Sequence, residues 1–333
     1  MVKSFIKKYF IVLIAFTLLI SSCSQIKKPV ELFIPDKAIG AFHINFTKAD
    51  FFNTKLIPQS LYETLYQPLI NEINKIGIDP RNLIETYGFI MPYQETVQKA
   101  PSAVIIKLDE YDPVIFNRYT LRNKNIKKIK YKDITYFYDH KNNMAIYSKS
   151  KKEIYIANDT LSMDELIELS FKDYKKLKMN ALAKFLDSNK DKSIAFKLYI
   201  PKNLSKEQHF LGKIKATDCI LGFGPNLYIK LNIYTSDDDF ADAIASIING
   251  LINTTYGFSK LLPLLPEEFP EISTDIEEYY TPETKDILTT FSKFLHGIDI
   301  KSKNGNISFE INTDLLLLKK IIEIWPDLNK YLE

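Results

Sequence analysis

The chain has 333 residues, of which 46% are hydrophobic and 26% are charged, and its formal charge is +3 at pH 7. That balance excludes an intrinsically disordered chain and allows one large folded domain or two smaller ones. The whole net charge comes from three lysines close to the first residue, so the remainder is neutral. We therefore expect no long-range attraction for nucleic acid.

The first 23 residues hold the most specific motif of the sequence. Three lysines precede an uncharged, mostly apolar run over residues 9–20, and Ile20-Ser21-Ser22-Cys23 follows at once. The apolar run is shorter than the ~18 residues that a membrane-spanning helix requires. A basic start, an apolar centre and small residues at a cleavage site are typical of a secretory signal peptide. A plain signal peptide is the alternative, and it would leave the position of Cys23 as a coincidence.

This segment resembles the lipobox of bacterial lipoproteins. The resemblance implies that residues 1–22 are a signal peptide, that cleavage occurs before Cys23, and that Cys23 carries diacylglyceryl and palmitate-type acyl chains. Each buried methylene contributes ~0.8 kcal/mol, so two or more chains hold a protein firmly in a bilayer. We expect a membrane partner through Cys23, with residues 23–30 as a tether. Ser24 in place of aspartate favours the outer membrane over the inner membrane.

Residues 31–180 are predicted to form a first α+β half. Alternating apolar residues predict a strand over Ile39–Phe46, and a helical segment broken by prolines follows over Ala49–Ile76. Asp79-Pro80 predicts a short helix to about Thr86. The later elements are strands Tyr87–Met91 and Ala103–Leu108, a helix from Asp112-Pro113 to Leu121, strands Ile126–Tyr131, Ile134–Tyr138, Met144–Ser148 and Glu153–Ala157, and a helix with a capping box at Ser162 and Glu165.

Residues 181–333 are predicted to form a second α+β half. It begins with a helix capped by Asn180 and a strand over Lys192–Ile200 whose character repeats Lys37–Phe46. The later elements are a hairpin of Lys213–Phe223 with Leu227–Tyr234, a helix capped by Ser236 with Phe240, Ile244, Ile247, Ile248 and Leu251 on one side, a helix from Thr281-Pro282 to Gly297, a hairpin at Asn304-Gly305, and a last helix capped by Thr313 or Asp314.

The order of elements predicts an α+β fold of two related halves, each an antiparallel sheet with helices packed on one face. In that arrangement Ile39–Phe46 and Ile194–Ile200 occupy equivalent positions. The layout resembles an uncharacterised class of exported bacterial proteins with two α+β repeats, in which each half begins after a segment such as Ile34-Pro35-Asp36. The resemblance covers residues 31–325 and implies no particular activity.

Few residues carry the spacing that chemistry needs. The histidines His43, His140, His209 and His296 are scattered, without the spacing of a zinc site. Asp237-Asp238-Asp239 lacks the glycine and distal glutamate of an EF-hand and is typical of a first helical turn. We expect no catalytic residue, no metal site and no cofactor. His43 should face opposite to its strand neighbours, and His140 should lie on a turn.

Three further features favour structural roles. Cys219, in an apolar strand, is expected to be buried and inert. Glu267-Glu268 and Glu277-Glu278 lie in a segment rich in prolines and are typical of a solvated loop. A basic cluster interleaves with Ile126, Ile129 and Tyr131, which places lysines on the solvent side of an edge strand; its members are Lys124, Lys127, Lys128, Lys130 and Lys132. Contact with an acidic lipid or polysaccharide is the alternative role for this cluster.

The sequence therefore favours a lipid-anchored envelope protein with a non-catalytic binding or structural role. Carriage of a lipid or another apolar ligand is the first hypothesis, because a curved sheet with helices on one face can enclose one. The alternative is a surface adhesin or an assembly scaffold that binds another envelope protein; a hydrolase with an unrecognised site is the third. A large apolar cavity would favour the carrier, and an exposed apolar patch would favour the scaffold.

Overall fold

The structure, a computed structural model, describes residues 34–48, 74, 77–92, 102–171, 180–200, 211–223, 226–261, 282–314, 316, 317 and 320. The chain forms two compact units. Unit 1 comprises Met1–Thr54, Gln59–Pro201 and Asp218–Gly224, and unit 2 comprises Lys55–Pro58, Lys202–Thr217 and Pro225–Glu333. The predicted division between residues 180 and 181 lies within unit 1, which continues through the next helix and strand.

The strands and helices confirm the α+β class. The strands are β1 Gly40–Asn45, β2 Leu83–Ile90, β3 Ser102–Leu108, β4 Ile126–Tyr131, β5 Ile134–Asp139, β6 Met144–Ser150, β7 Glu153–Ala157, β8 Ile194–Tyr199, β9 Ile214–Phe223, β10 Asn226–Thr235, β11 Ile298–Lys303 and β12 Asn306–Asp314. The helices are α1 Pro113–Arg122, α2 Thr160–Phe171, α3 Ala181–Ser188, α4 Asp238–Leu261 and α5 Pro282–His296. Short 3-10 turns cover Phe46–Lys48, Pro80–Asn82 and Leu211–Lys213.

Unit 1 is built on antiparallel strands in the order β8-β1-β2-β3-β7-β6-β5-β4. The strands from β4 to β7 form the predicted meander, since each pairs with the next along the chain. The central strands are buried on both faces: Tyr87, Phe89, Ile44 and Ile106 are each at most 3% exposed. Burial on both faces explains why these strands read as nearly continuous apolar runs.

Helices lie on both faces of the unit 1 strands. α2 and α3 pack on one face, where Leu166 and Leu186 join a cluster that includes Tyr136 of β5. On α1, the ring of Phe116 makes an edge contact with Phe137, the next residue of β5, at 5.5 Å between centroids. Neighbouring residues of a strand point to opposite faces. The prediction of helices on one face therefore holds for α2 and α3 and is wrong for α1.

The two strands that the sequence relates to each other, β1 and β8, are direct neighbours. They pair antiparallel, with Phe42 opposite Phe196 and with Ala41 and His43 opposite Lys197 and Ala195. In the sequence match Phe42 corresponds to Phe196, so the pairing is centred on equivalent residues. This local two-fold arrangement fits the repeat hypothesis, while the equivalence of the complete halves stays a prediction.

Unit 2 contains β10, β12 and β11 in that order, with α4 packed against them. The predicted hairpin at Asn304-Gly305 is confirmed, with φ of 50° and 70° at these residues. Both values lie in the left-handed region that a two-residue hairpin of this kind requires. Among the described residues, the core under α4 consists of Ala241, Ala245, Ile300 and Ile307, with half-buried isoleucines around it.

The segment after Asp79-Pro80 differs from the prediction. The expected helix is only a 3-10 turn over Pro80–Asn82, and β2 begins at Leu83. Asp79 accepts hydrogen bonds from the backbone N–H of Arg81 at 2.9 Å and from its guanidinium group, which closes a local turn. Pairing of β2 with β1 and β3 then holds the following residues extended, so the tertiary partner overrides the helix-start signal.

Two predicted helix caps lie one to three residues from their true positions. α2 is capped by Asp159, which accepts hydrogen bonds from the backbone N–H and the hydroxyl of Ser162 at 2.7 and 2.9 Å. α4 is capped by Asp237, which accepts from the N–H of Phe240 at 3.0 Å. Carboxylates are strong caps because they accept hydrogen bonds and offset the helix dipole. The caps predicted at Asp112 and Asn180 are confirmed.

Several predictions concern residues outside the described ranges. These are the signal peptide with Cys23 and its tether, most of the helical segment over residues 49–76, His209, the two glutamate pairs and most of the last helix. Of that last helix the described part includes Asp314, which accepts a hydrogen bond from the N–H of Leu316 at 2.6 Å.

Candidate functional site

An exposed apolar stripe runs along α4, the longest helix of the described residues. Ile247, Leu251, Phe258 and Leu261 are 58, 63, 59 and 50% exposed. With 3.6 residues per turn, these four side chains and Thr254 lie within about 80° of the helix circumference. No charged residue falls within that arc. We call this set the α4 stripe.

The stripe is distinct from the face of α4 that packs on unit 2. Ala241 and Ala245 are buried against Ile300 and Ile307, and half-buried Ile244, Ile248 and Ile252 pack around them. Asn249 and Asp242 also fix this helix, since Asn249 donates to the carbonyl of Ile300 and Asp242 accepts from the hydroxyl of Ser302. Thus α4 has a packed apolar face and an exposed one. Of the residues predicted to lie on one side of this helix, Ile244 and Ile248 pack on unit 2, whereas Ile247 and Leu251 are exposed.

The spacing of the stripe is that of a helix-packing seam. Ile247, Thr254 and Leu261 recur every seven residues, and Leu251 and Phe258 form a second series with the same repeat. A seven-residue repeat turns only about 20° per heptad around an α-helix, so it presents a nearly straight line of side chains to a neighbour. The helix of 24 residues is about 36 Å long, which is enough for a continuous contact.

The acidic residues at the start of α4 have a structural role. Asp237 caps the helix and forms an ion pair with Lys213 at 2.6 Å, and the hydrogen bond from Lys213 lowers the pKa of its carboxyl group. Asp238 and Asp239 occupy the first turn, as predicted. Within the described ranges, no three His, Cys, Asp or Glu side chains are grouped so that they could hold a metal ion.

The three described histidines lie in different environments. His43, in β1, is 2% exposed and its Nε2 lies 3.0 Å from the Glu85 carboxylate. His140 lies on the turn after β5, as predicted, with its ring 4.7 Å from that of Tyr138. His296 ends α5 and stacks on Tyr256 of α4 at 5.6 Å. Each histidine is therefore accounted for by a separate local contact, and His43 is too buried to meet a substrate.

A second buried ion pair lies on the same face as His43–Glu85. Lys197 of β8 contacts Asp218 of β9 at 3.0 Å between Nζ and Oδ2, and the two side chains are 15 and 2% exposed. The ammonium group also lies over the rings of Phe185 and Tyr199, at 5.1 and 5.9 Å from their centroids. Cation–π contacts of this length stabilise a buried ammonium. Sequence analysis missed both ion pairs, because partners so far apart in the chain leave no local pattern.

One open cleft in unit 1 has a volume of about 720 Å³. Its lining combines Ile78, Tyr111 and Val114 with polar groups, among them Asp79, Asn82, Glu110, Asp112 and Lys151. Asp79 is bound to Arg81 and Asp112 caps α1, so both carboxylates have local structural roles. This mixed, open surface lacks the apolar enclosure that a carried lipid would need.

Cys219 is half-buried rather than buried as predicted. Burial nevertheless raises the pKa of its thiol to about 11, with a further contribution from neighbouring Asp218. The thiolate is the nucleophilic form, so the raised pKa suppresses reactivity at neutral pH. Of the residues that the structure describes, no helix is both long and apolar enough to cross a membrane.

The paired strands of both units are antiparallel, and the protein has an α+β fold. No protein-family model matches the chain, and no curated protein matches it. Solved structures of TP0453 are similar in fold. Its crystal form III has a TM-score of 0.45 and 8% identity and covers 86% of this chain and 94% of that one. Crystal forms I and IV have TM-scores of 0.42 and 0.41 at 10% identity, with coverage of 86 and 92%.

The sequence pattern groups the apolar residues of α4 on one side, and it also holds the signal that separates the α4 stripe from the packed face. Apolar residues cover too wide an arc of α4 for one packed face, since Ile247 and Leu251 adjoin the arc of Ile244 and Ile248. A single buried stripe spans little more than 100°. The excess width, together with the seven-residue repeat, would have indicated two apolar faces on one helix.

Proposed function

We propose that this protein is a lipid-anchored, non-catalytic scaffold of the bacterial envelope, held at the outer membrane through Cys23. The observation that carries the proposal is the α4 stripe, which offers an apolar, uncharged seam to a partner. Contiguous exposed apolar surface on a folded domain is typical of an interaction site. The occupant that the seam fits best is an apolar helix of another envelope protein, because a seven-residue repeat packs against a helix over its full length.

Three observations support the non-catalytic role. The described histidines lie in separate contacts, Asp79 and Asp112 of the cleft have local partners, and the raised pKa of Cys219 disfavours its thiolate. Perturbed acids and bases that converge in a cleft are the mark of an active site. The carrier hypothesis would require an enclosed apolar cavity, and the cleft of unit 1 is open with a mixed polar and apolar lining. We therefore favour surface binding over ligand carriage.

A photo-crosslinking amino acid at position 251 tests the proposal in the lipidated protein within its own envelope. Leu251 lies on the stripe, and Asn253, exposed on the polar side of the same helix, is the matched control. We expect position 251 to give a discrete protein adduct that position 253 does not. The adduct should disappear when Ile247→Ser and Phe258→Ser are added, because they remove apolar contact area on either side.

Two outcomes would contradict the scaffold. Cross-linking of position 251 to lipid alone would make the bilayer the occupant of the stripe. Equal adducts from positions 251 and 253 would show random collision. The anchor has its own test: Cys23→Ala should abolish palmitate labelling and release the protein from membranes, whereas continued labelling would refute lipidation at Cys23.

A further inference from the structure

A strongly basic surface covers the part of unit 1 formed by α1, β4, β5 and the turns that follow. Between residues 118 and 152 the chain carries eleven basic residues and two acidic ones. All eleven basic side chains are exposed, whereas Asp139 is 1% exposed and only Asp133 adds a negative charge at the surface. We call these eleven the basic surface: Arg118, Arg122, Lys124, Lys127, Lys128, Lys130, Lys132, Lys141, Lys149, Lys151 and Lys152.

Neighbouring acids neutralise little of this charge. Lys132 pairs with Glu168, and Lys149 lies 3.7 Å from Glu153. The other nine cations form no ion pair with another residue of the described ranges. Asp139 cannot help, because its carboxylate accepts hydrogen bonds from the N–H groups of Lys141 and Asn142 and turns inward. The basic surface therefore keeps most of its positive charge.

The fold brings many of these residues to the β4 edge of unit 1 and to the adjoining helix α1. β4 is the last strand in the order, so Lys127, Lys128 and Lys130 stand on its two faces at the edge. α1 packs on β5 through Phe116, which places Arg118 and Arg122 on the adjoining helix. The backbone N–H of His140 donates to the carbonyl of Asn125 at 3.1 Å and joins the two turns that carry Lys124 and Lys141.

Protection of the sheet edge explains only part of this pattern. Lysines on an edge strand prevent pairing with other chains, and Lys127, Lys128 and Lys130 can do that. Arg118 and Arg122 on α1, and the lysines of the later turns, do not border the edge. Unpaired like charges repel one another, so an anionic partner would stabilise the whole surface.

Exposed apolar side chains within the basic surface indicate the kind of partner. On α1, Val114 is 57% and Leu121 is 76% exposed, and both lie on the face that carries Arg118 and Arg122. Cations mixed with exposed apolar groups suit the interface of a bilayer, where the cations meet headgroup phosphates and the apolar groups enter the acyl boundary. A hydrated polyanion such as nucleic acid makes no use of Leu121.

We propose that the basic surface docks on a bilayer containing anionic phospholipids, with its lysines and arginines at the level of the phosphates and Leu121 among the headgroups. This surface belongs to unit 1 and does not involve the α4 stripe. The two proposals therefore stand or fall separately.

Co-sedimentation with vesicles tests this proposal. The protein begins at Ser24, which removes the lipid and keeps every described residue. We expect binding to phosphatidylcholine vesicles with about a third phosphatidylglycerol, little binding to pure phosphatidylcholine, and loss of binding in 0.5 M salt because the Debye length falls to about 4 Å. Each lysine near the surface contributes about a fivefold factor, so Lys127→Gln, Lys128→Gln and Lys130→Gln together should weaken binding about 100-fold.

Matched variants separate the bilayer from other anions. Lys215→Gln, Lys293→Gln and Lys303→Gln remove three exposed lysines of unit 2 and should leave binding unchanged. Arg118→Gln with Arg122→Gln on α1 tests the surface without touching β4. Leu121→Ser should weaken vesicle binding severalfold. Three results would each overturn the proposal. The first is vesicle binding that Leu121→Ser does not change and that duplex DNA equals. The second is binding abolished by 10 mM inorganic phosphate, and the third is an equal loss of binding in the unit 2 variant.

Discussion

Two buried ion pairs flank the contact between Phe42 and Phe196, and they solve one problem in different ways. His43 with Glu85 and Lys197 with Asp218 lie on the same face, and each cation stands opposite an alanine of the neighbouring strand. Ala195 and Ala41 leave room for the longer side chains. The same position of the two strands therefore holds an imidazole in one case and an ammonium group in the other.

The difference lies in how each cation tolerates burial. A histidine can release its proton near neutral pH and become a neutral hydrogen-bonding group, whereas a lysine at neutral pH stays charged unless it is strongly desolvated. Lys197 accordingly has a carboxylate and two aromatic rings around it, while Nδ1 of His43 has no hydrogen-bond partner among the described residues. The lysine site should therefore depend on its partners more than the histidine site does.

The largest expected effect is the loss of the Asp218 carboxylate. Asp218→Ala should lower the free energy of unfolding by about 3 kcal/mol, because it removes the carboxylate that contacts the buried Lys197 ammonium. Urea denaturation of the protein from Ser24 measures the change. The double variant Asp218→Ala with Lys197→Met removes both charges and should recover most of the loss. A single variant within 1 kcal/mol of the parent protein would contradict this account.

The next effect concerns the glycine on which Phe42 packs. A Cβ atom at Gly88 would lie 2.5 Å from the carbonyl oxygen of Ala103 and 2.8 Å from the Phe42 ring, so Gly88→Ala should cost about 2–3 kcal/mol. Gly222 of β9 is the control, since a Cβ there meets nothing within 4 Å. Gly222→Ala should stay within about 0.5 kcal/mol of the parent. Thermal unfolding of both variants compares them, and equal losses would refute close packing at Gly88.

A smaller effect is expected at the histidine site. Glu85→Ala should lower the free energy of unfolding by about 1 kcal/mol, because it removes the hydrogen-bond partner of His43 Nε2. Urea denaturation at pH 7 alongside Asp218→Ala gives the comparison directly. If Glu85→Ala costs as much as Asp218→Ala, the two cations are equally dependent on their carboxylates, and the distinction drawn between them fails.

Cys219 is expected to have the smallest effect on stability, and its burial is tested through the reactivity of its thiol. The folded pKa of about 11 against an ordinary 9.0 lowers the thiolate fraction at pH 8 about 100-fold, so alkylation should be slow until urea unfolds the protein. The raised pKa of Cys219 stabilises the folded state below pH 9.0, and that contribution to stability is lost as the pH rises through about 11. Rapid labelling of folded protein by iodoacetamide would contradict the raised pKa.

Local signals in the sequence predicted the elements well. The strands of the meander, the caps at Asp112 and Asn180 and the Asn304-Gly305 hairpin all follow from patterns of a few residues. Prediction failed where contacts with distant parts of the chain determined the structure. Pairing with β3 extends β2 toward Asp79, where a helix was predicted. Packing through Phe116 places α1 on the face of the sheet opposite to α2 and α3. The α4 stripe was harder to predict. The sequence shows which residues of α4 are apolar, but it does not show which of them Ile300 and Ile307 cover.

The pairing of β1 with β8 has a consequence for how the chain reaches its destination. The hydrogen bond between Asn45 and the Lys190 carbonyl joins residues 145 positions apart, and β1 has β8 as its neighbour on one side. Contacts so distant along the chain form slowly, since a long loop must close first. Unit 1 therefore cannot complete its sheet until most of the polypeptide has been synthesised. If residues 1–22 act as the predicted signal peptide, that delay keeps the emerging segment unfolded and fit for passage through a secretion channel.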